Sequence, residues 1–559
     1  MTTPPADVNY TFNDREIEQL KVFGEVKSHA AGDVLVAEGE QEFDCLVTLS
    51  GETHIFVETA EGEKRLGWME PGQFAGDLSS MTGHASLARI VMGKPGDVLH
   101  IPYAAFHRLL VENSHLSDVF VRTFTARRIF ARDADHKAVI VIGAPYDRTV
   151  FAARDLLHKH TVPHAWLDPD KDELACRIME ARDISADSLP VVIRGASRIL
   201  SKPSVTDLAE AFGLDLLPDG AVADVIVVGA GPGGLASSVY AASEGLSVLT
   251  LDCDGPGGQE GTSSKIENYL GFPTGVSGAE LAQRAAIQAQ KFGVRMAAPA
   301  KASALELLET GEYSLSTEDG RKLKARAVVI ASGAQYRRLP VERLEEFEGR
   351  GIYYGASPME AQLCHGAKVA VVGAGNSAGQ GAVFLSQTAE EVHVMYRRPD
   401  IRETMSEYLV RRLEEMPNIH LHPQTEISAL HGSATDQLED LRMTGVTVKC
   451  RDEEKKIDTP FAFLFVGAAP FTQWLPEGVR RDDKGFIKTG TALERLDLVR
   501  AGWKIERLPT QYETSRPRIY AVGDVRAGSV KRVASAVGEG SVVVSDIHRA
   551  ISDVAGSAM

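Results

Sequence analysis

Two glycine-rich turns stand 144 residues apart in this 559-residue chain, Gly229-Ala230-Gly231-Pro232-Gly233-Gly234 and Gly373-Ala374-Gly375-Asn376-Ser377-Ala378. Each is entered through an apolar run, Val225-Ile226-Val227-Val228 and Val369-Ala370-Val371-Val372. In such a turn the first glycine supplies backbone freedom and the second lets the chain approach a pyrophosphate. The third small residue lets the next helix pack on the strand with its N-terminal N–H groups facing the phosphates. One match is a weak signal. A second, one domain length later and again between strand-like and helix-like segments, points to a chain that holds two dinucleotides. The length exceeds one hydrophobic core and implies about three or four domains.

A net charge of −17 argues against a broad nucleic-acid surface, which needs clustered cations. No apolar run approaches the ~20 residues that span a bilayer, and residues 1–20 lack the cationic start and apolar core of a signal peptide, so neither membrane nor export is expected. The five cysteines (Cys45, Cys176, Cys253, Cys364, Cys450) are never closer than 77 residues. That spacing fits a reducing cytoplasm and leaves no local CxxC or zinc motif, so no metal site is expected.

Four segments follow. Over 1–135, short alternating runs (33–36, 45–49, 53–57 and 97–101) between Gly-rich turns read as a β-barrel or jelly roll, flanked by helical patterns at 14–21 and 104–132. Ala31-Gly32-Asp33-Val34-Leu35, Leu49-Ser50-Gly51-Glu52 and Phe74-Ala75-Gly76-Asp77-Leu78 resemble the turns of a cyclic-nucleotide-binding domain. The candidate cassette is Gly76, Asp77 and Arg89. Asp77 stands where binders carry Glu, and Arg89 comes two or three positions after the place of the phosphate-clamping arginine, so the expectation is a structural or sensory barrel that does not bind cyclic nucleotide in the usual way. Residues 136–215 read βαβαββα and resemble a thioredoxin or glutaredoxin, with Pro190 at the place of that family's cis-proline. Ala144-Pro145-Tyr146-Asp147 replaces Cys-Pro-Tyr-Cys, leaving no thiolate for disulfide exchange. After a Pro/Gly/Asp-rich linker at 215–223 come two nested Rossmann-like α/β units: an FAD domain at 222–338 and 461–559, and an NADPH domain at 339–460 inserted within it.

Past the first fingerprint, the strand-like run 246–251 ends in Asp252, 18 residues beyond Gly234 and placed to accept the adenosine ribose hydroxyls. Gly257-Gly258-Gln259 followed by Ile266-Glu267-Asn268-Tyr269, then Ala331-Ser332-Gly333-Ala334, Phe465-Val466-Gly467, Ile519-Tyr520-Ala521-Val522-Gly523-Asp524 and Lys531-Arg532-Val533-Ala534 complete a pattern similar to the low-molecular-weight thioredoxin reductases from Gly229 to Ala550. The resemblance implies a homodimer and an FAD site of Gly229, Gly231, Gly234, Asp252, Gly258, Gln259, Asn268, Ala331, Gly333, Gly523, Asp524, Arg532, Val533 and Ala534. In it Asp524 holds the ribitol, Gln259 and Asn268 contact the flavin region, and the Val533-Ala534 amides lie near the pyrimidine edge. In the second unit Gly373, Gly375, Asn376, Ser377 and Ala378 form the pyrophosphate turn. The strand 392–396 ends in no acid but in Arg397 and Arg398, followed by Arg402, which match the family's HRRxxxR pattern with Tyr396 in place of the histidine. Guanidinium forks suit a 2′-phosphate, so NADPH is the expected coenzyme.

The family's Cys-x-x-Cys, which relays electrons from flavin to thioredoxin, should lie within Gly351-Ile352-Tyr353-Tyr354-Gly355-Ala356-Ser357-Pro358-Met359-Glu360, where there is no cysteine. Cys364, by register the start of the entry strand, reads as a buried small apolar residue. No protein side chain is therefore assigned as catalytic. The expected function is an FAD-dependent NADPH oxidoreductase that serves an unidentified small-molecule or redox-protein acceptor, such as ferredoxin or flavodoxin, a quinone or oxygen. Two alternatives stay open: a thioredoxin-disulfide reductase, and an NADPH-responsive redox sensor.

Overall fold

The structure, a computed structural model, describes residues 8–557 except 60–61, 134–137, 196–197, 215–216, 218–219, 221, 434–440 and 452. Much of the expected linker at 215–223, and the expected boundary at 135–136, lie outside the described residues.

Two four-stranded antiparallel sheets build the N-terminal barrel. One contains Glu25–His29, Gly96–Ile101, Cys45–Thr48 and Phe74–Ala75; the other contains Val34–Val36, Arg89–Lys94, Glu52–Thr59 and Gly62–Met69. Cys45–Thr48 is buried along its whole length because Phe74, Phe106, Phe120 and Phe124 form an aromatic core between its sheet and two helices, Tyr103–Glu112 and Ser114–Asp133. The helical pattern expected over 104–132 is realised as these two helices. The chain breaks it at Asn113, whose side chain accepts from the Leu116 N–H at 3.1 Å and starts the second helix.

The next segment has one four-stranded sheet in the order His164–Leu167, Val139–Ile142, Val191–Arg194, Arg198–Ser201, parallel in the first pair and antiparallel in the others. Helices Arg148–Lys159, Glu173–Ala181 and Val205–Phe212 accompany it. Asp147 caps the first of them, accepting from the N–H groups of Thr149 and Val150 at 2.7 and 3.3 Å. Pro190 follows a cis peptide bond.

Val222–Val228 is the parallel centre of the third unit, flanked by Val248–Leu251 and Lys322–Ile330, with Arg295–Ala297 and Ile519–Ala521 beyond them. The β-branched residues of Val222–Val228 are buried at its C-terminal end, as expected of a strand covered on both faces. Helix Pro232–Ser243 packs against the long helix Val533–Ser557 on one side. The inserted unit has a parallel sheet in the order Ile352–Tyr353, Phe461–Leu464, Lys368–Val372, Glu391–Tyr396, Ile419–Pro423. Chain exit and return lie side by side, because Gln335–Tyr336 pairs antiparallel with Ala468–Ala469.

Two expectations are corrected. The return to the FAD domain does not begin at residue 461: Phe461–Leu464 pairs with Lys368–Val372 inside the inserted sheet, and the crossover follows it. Cys364 begins no strand but ends helix Pro358–Leu363.

Candidate functional site

The first fingerprint separates space by glycine. A Cβ on Gly229 (φ +110°) would lie 2.3 Å from the Ala331 carbonyl oxygen, and one on Gly234 would lie 1.8 Å from the Gly229 carbonyl oxygen. Around the Cβ position of Gly231 nothing lies within 4 Å. The outer glycines are thus closed on backbone, and the middle one faces open space at the N-terminus of helix Pro232–Ser243. The second fingerprint repeats this arrangement. Gly373 (φ +152°) closes on the Phe465 carbonyl oxygen at 2.6 Å, Gly375 is open, and Ala378 is fully buried. Such a cradle fits a pyrophosphate at each turn.

Around the first cradle, Asp252 accepts N–H bonds from Ala230, Asp254 and Gly255 at 2.7, 2.9 and 3.0 Å. Burial pushes its carboxyl up, and the three amides hold it down. The loop that the resemblance assigns to the flavin is tied to the same turn: Gly257 N–H donates to the Ala230 carbonyl at 2.8 Å, and a Cβ on Gly258 would come 3.2 Å from Gly231 Cα. Gln259 donates its amide to the carbonyl of Ala334, just past the Ala331-Ser332-Gly333 crossover. Asn268 is solvent-exposed. Gly523 N–H donates to Glu539 at 2.7 Å, Asp524 follows it with a carboxyl raised by burial, and Lys531 donates to the Asp524 carbonyl at 2.9 Å. Arg532 precedes the long helix, which Val533 and Ala534 begin.

Sequence reasoning missed two groups here. Glu260 follows Gln259; burial first, and then the Asp524 charge, push its carboxyl up to about 7. The Tyr336 phenol is pushed up to about 12 by burial, with Glu260 and Asp524 adding to the shift. Glu260, Asp524 and Tyr336 therefore share one low-dielectric region between the flavin loop, the terminal strand and the crossover. The Gly-Gly-Gln motif drew attention to Gln259 and concealed its acidic neighbour, and nothing local marks Tyr336.

At the second cradle Asn376 and Ser406 are linked twice, Asn376 Nδ2 donating to Ser406 Oγ at 3.0 Å and Ser406 N–H donating to Asn376 Oδ1 at 2.8 Å. Ser377 is exposed on the turn. The three arginines differ. Arg398 pairs with Glu403 at 2.5 Å, and Arg402 reaches both oxygens of Glu414 at 2.8 and 2.9 Å. Arg397 is exposed and, among the described residues, has no ion-pair partner.

A Cβ on Gly355 would lie 2.8 Å from Thr262 Cβ of the flavin loop, Ser357 caps helix Pro358–Leu363, and Cys364 is a free, buried thiol whose burial pushes its pKa up. From the preceding segment Tyr146 stacks on Phe461 at 6.2 Å between ring centroids, and Phe151 lies 5.7 Å from Tyr353.

The three residues of the barrel cassette each have partners within the fold. Asp77 caps helix Leu78–Thr82 through the Ser79 N–H at 2.9 Å and accepts from Arg128 at 2.5 Å. Arg128 is buried and also donates to the Thr161 carbonyl at 3.0 Å. Gly76 takes a positive φ of +134°, and its carbonyl accepts from Arg127 at 2.7 Å. Arg89 pairs instead with Glu63 of the same sheet and lies over Phe56.

Residues 223–540, more than half of the chain, match the family described as pyridine nucleotide-disulphide oxidoreductase, and residues 26–113 match the cyclic nucleotide-binding domain. The chain is 28% identical to a thioredoxin reductase of Bacillus subtilis over 333 residues, spanning 59% of this chain and 95% of that protein. It is 31% identical to a thioredoxin reductase of Mycoplasmopsis pulmonis over 321 residues, spanning 57% and 94%. A thioredoxin reductase structure from Lactococcus lactis is similar with a TM-score of 0.51 at 25% identity, spanning 59% of this chain and 99% of that one. Among the described residues no helix is long and apolar enough to cross a membrane.

Proposed function

This chain belongs to the pyridine nucleotide-disulphide oxidoreductase family, whose enzymes use FAD and NADPH, and from that membership we propose that it is an NADPH oxidoreductase whose flavin serves an acceptor other than a protein disulfide. FAD, when bound, would supply the redox chemistry, hydride acceptance from NADPH and onward electron transfer. The chain's own residues position the cofactors. The Gly229–Gly234 turn and its helix N-terminus hold the FAD pyrophosphate, and Asp252 takes the adenosine ribose. Gln259 and Asp524 lie toward the flavin and ribitol, with Glu260 and Tyr336 beside them to hold a proton or a hydrogen bond. At the second turn Gly373–Ala378 holds the NADPH pyrophosphate. Arg397 is free to meet the 2′-phosphate, whereas Arg398 and Arg402 must share or exchange acidic partners to do so.

The observation that carries this reading is the cysteine-free stretch Ala356-Ser357-Pro358-Met359, where the relay dithiol of the resembling reductases would stand and where Ser357 caps helix Pro358–Leu363 instead. No thiol is present there to receive electrons, and Gly355 just before it is packed on the Thr262 side chain. A ferredoxin or flavodoxin, a quinone or oxygen needs no thiol pair. The setting is the reducing cytoplasm, and the assembly a homodimer as in the resembling reductases. Anaerobic titration of the flavin-loaded protein with NADPH and with NADH tests the input half: bleaching of the flavin by NADPH at far lower concentration than by NADH is expected, and equal response to both overturns the coenzyme assignment.

A second reading, a redox sensor, draws on the aromatic contacts of Tyr146 and Phe151 with Phe461 and Tyr353. Through them a coenzyme-driven shift of the inserted unit would reach the N-terminal modules. Absence of any acceptor that sustains NADPH oxidation, together with an NADPH-dependent change in exchange at those contacts, would favour it.

A further inference from the structure

The adenosine end of the first cradle is walled by all three parts of the chain. Asp252 and Ala298 come from the FAD unit, Lys159 and His160 from the end of the thioredoxin-like segment's first helix, and Thr82 and His84 from the barrel. We propose that the two N-terminal segments complete the FAD adenosine site, His160, Lys159 and His84 forming its outer wall over the ribose and adenine; this rests on the FAD reading of the first fingerprint.

His160 is only 7% exposed, and its Nε2 has no hydrogen-bond partner among the described residues. A buried imidazole nitrogen without a partner is costly unless a ligand satisfies it. Burial pushes both His160 and His84 down to about 3, so both rings are neutral, and their centroids lie 5.8 Å apart. Neutral aromatic rings with one donor or acceptor nitrogen match the flat, uncharged adenine edge and the ribose hydroxyls. Lys159 is paired with Asp155 at 2.7 Å and is further held in its charged form by Asp254 and Asp252 against the effect of burial. Its ammonium therefore balances the carboxylate that receives the ribose. The approach is close: a Cβ on Gly255, in the loop after Asp252, would lie 3.0 Å from Lys159 Cβ and 3.3 Å from His160 Nε2. Arg128 fixes the wall by bonding Asp77 and Ser79 in the barrel and the Thr161 carbonyl next to His160. Flavin retention is thereby coupled to docking of the N-terminal modules, since a ligand that touches both sides stabilises the docked state.

The test uses the full chain, deflavinated and titrated with FAD, with flavin fluorescence as the readout of affinity and apoprotein melting as the check of folding. Lys159→Ala with His160→Ala is expected to weaken FAD at least about tenfold, and His84→Ala by a smaller factor, at unchanged apoprotein melting. Hydrogen exchange on the wild type supplies a second readout that depends on no variant: FAD is expected to slow amide exchange over 157–162. Wild-type FAD affinity in the variants, or, where a variant does not fold, unchanged exchange at 157–162, overturns the proposal while leaving the FAD reading intact. A wild-type chain that takes up no FAD overturns both.

Discussion

The two glycine cradles and the two positions where redox thiols stand in the resembling families were treated oppositely by this sequence. At Gly231 and Gly375 the chain leaves open space, with no packed neighbour among the described residues within 4 Å of a Cβ position. At 144–147 and 351–360 it fills the space. Tyr146 is packed on Phe461, Asp147 is spent as a helix cap, and Gly355 is pressed against Thr262. Empty space lined by N–H groups is what a ligand site costs to keep, since it forfeits packing. Filled space with no nucleophile stabilises the fold and does no chemistry. On the proposed reading, function lies at the input of electrons and not in disulfide exchange.

The largest expected effect comes from breaking the cradle in two different ways. Gly234→Ala puts a Cβ against the Gly229 carbonyl and should lower apoprotein stability by about 1–3 kcal/mol or more, measured by denaturant melting. Gly231→Ala enters open space and should leave apoprotein stability nearly unchanged while weakening FAD. Equal loss of stability in both variants would erase the distinction between closed and open glycines.

Next in size is coenzyme choice. Arg397→Ala should reduce the preference for NADPH over NADH by about 10- to 100-fold in flavin-reduction assays, the range of a lost charge-assisted phosphate contact. Arg402→Ala should change it less, because Glu414 already occupies that guanidinium. A larger effect at Arg402 would mean that the pair opens when coenzyme arrives.

A smaller, pH-dependent effect follows from Glu260. Its carboxyl is raised from an ordinary 4.5 to about 7 by burial first and Asp524 second, so between those values the folded apoprotein holds a proton that the unfolded chain has lost. Stability due to this group is therefore full below about pH 4.5, falls as pH rises toward 7, and is level above. Glu260→Gln should flatten that slope in melting curves taken across the window. An unchanged slope would remove Glu260 from the buried cluster.

Smallest of all is the expected response to cyclic nucleotides. With Asp77 held by Arg128 and Arg89 turned to Glu63, calorimetry on the full chain should find cAMP and cGMP binding no tighter than about millimolar, with Arg89→Ala indistinguishable from wild type. Micromolar binding lost in Arg89→Ala would show a displaced clamp.

Local pattern was legible wherever a period or a turn signal is short. The fingerprints, the strand ending in Asp252 and the helix after Asp147 all follow from neighbours in sequence. What was hidden is non-local. Arg128 reaches Asp77 across 51 residues, Gln259 reaches Ala334 across 75, and Phe461–Leu464 joins the inserted sheet by pairing with a strand some ninety residues earlier. Parallel pairing leaves no turn signal between its partners, so the boundary expected at 461 falls on the wrong side of that strand. Cys364 was misplaced for a similar reason. The apolar character of Ala361, Leu363 and Cys364 suits a buried strand or a short capped helix equally, and the Ser357–Glu360 capping box decides for the helix.

The most direct test of the central claim is rapid-mixing of the NADPH-reduced protein, under anaerobic conditions, with oxidised thioredoxin and separately with a flavodoxin, a ferredoxin, a quinone and oxygen. At least one acceptor without a disulfide should reoxidise the flavin quickly. Thioredoxin should do so at less than about one-thousandth of that rate, the scale of a lost nucleophile, with Cys364→Ser behaving as wild type. Fast reoxidation by thioredoxin that disappears in Cys364→Ser would contradict the account and make this chain a disulfide reductase.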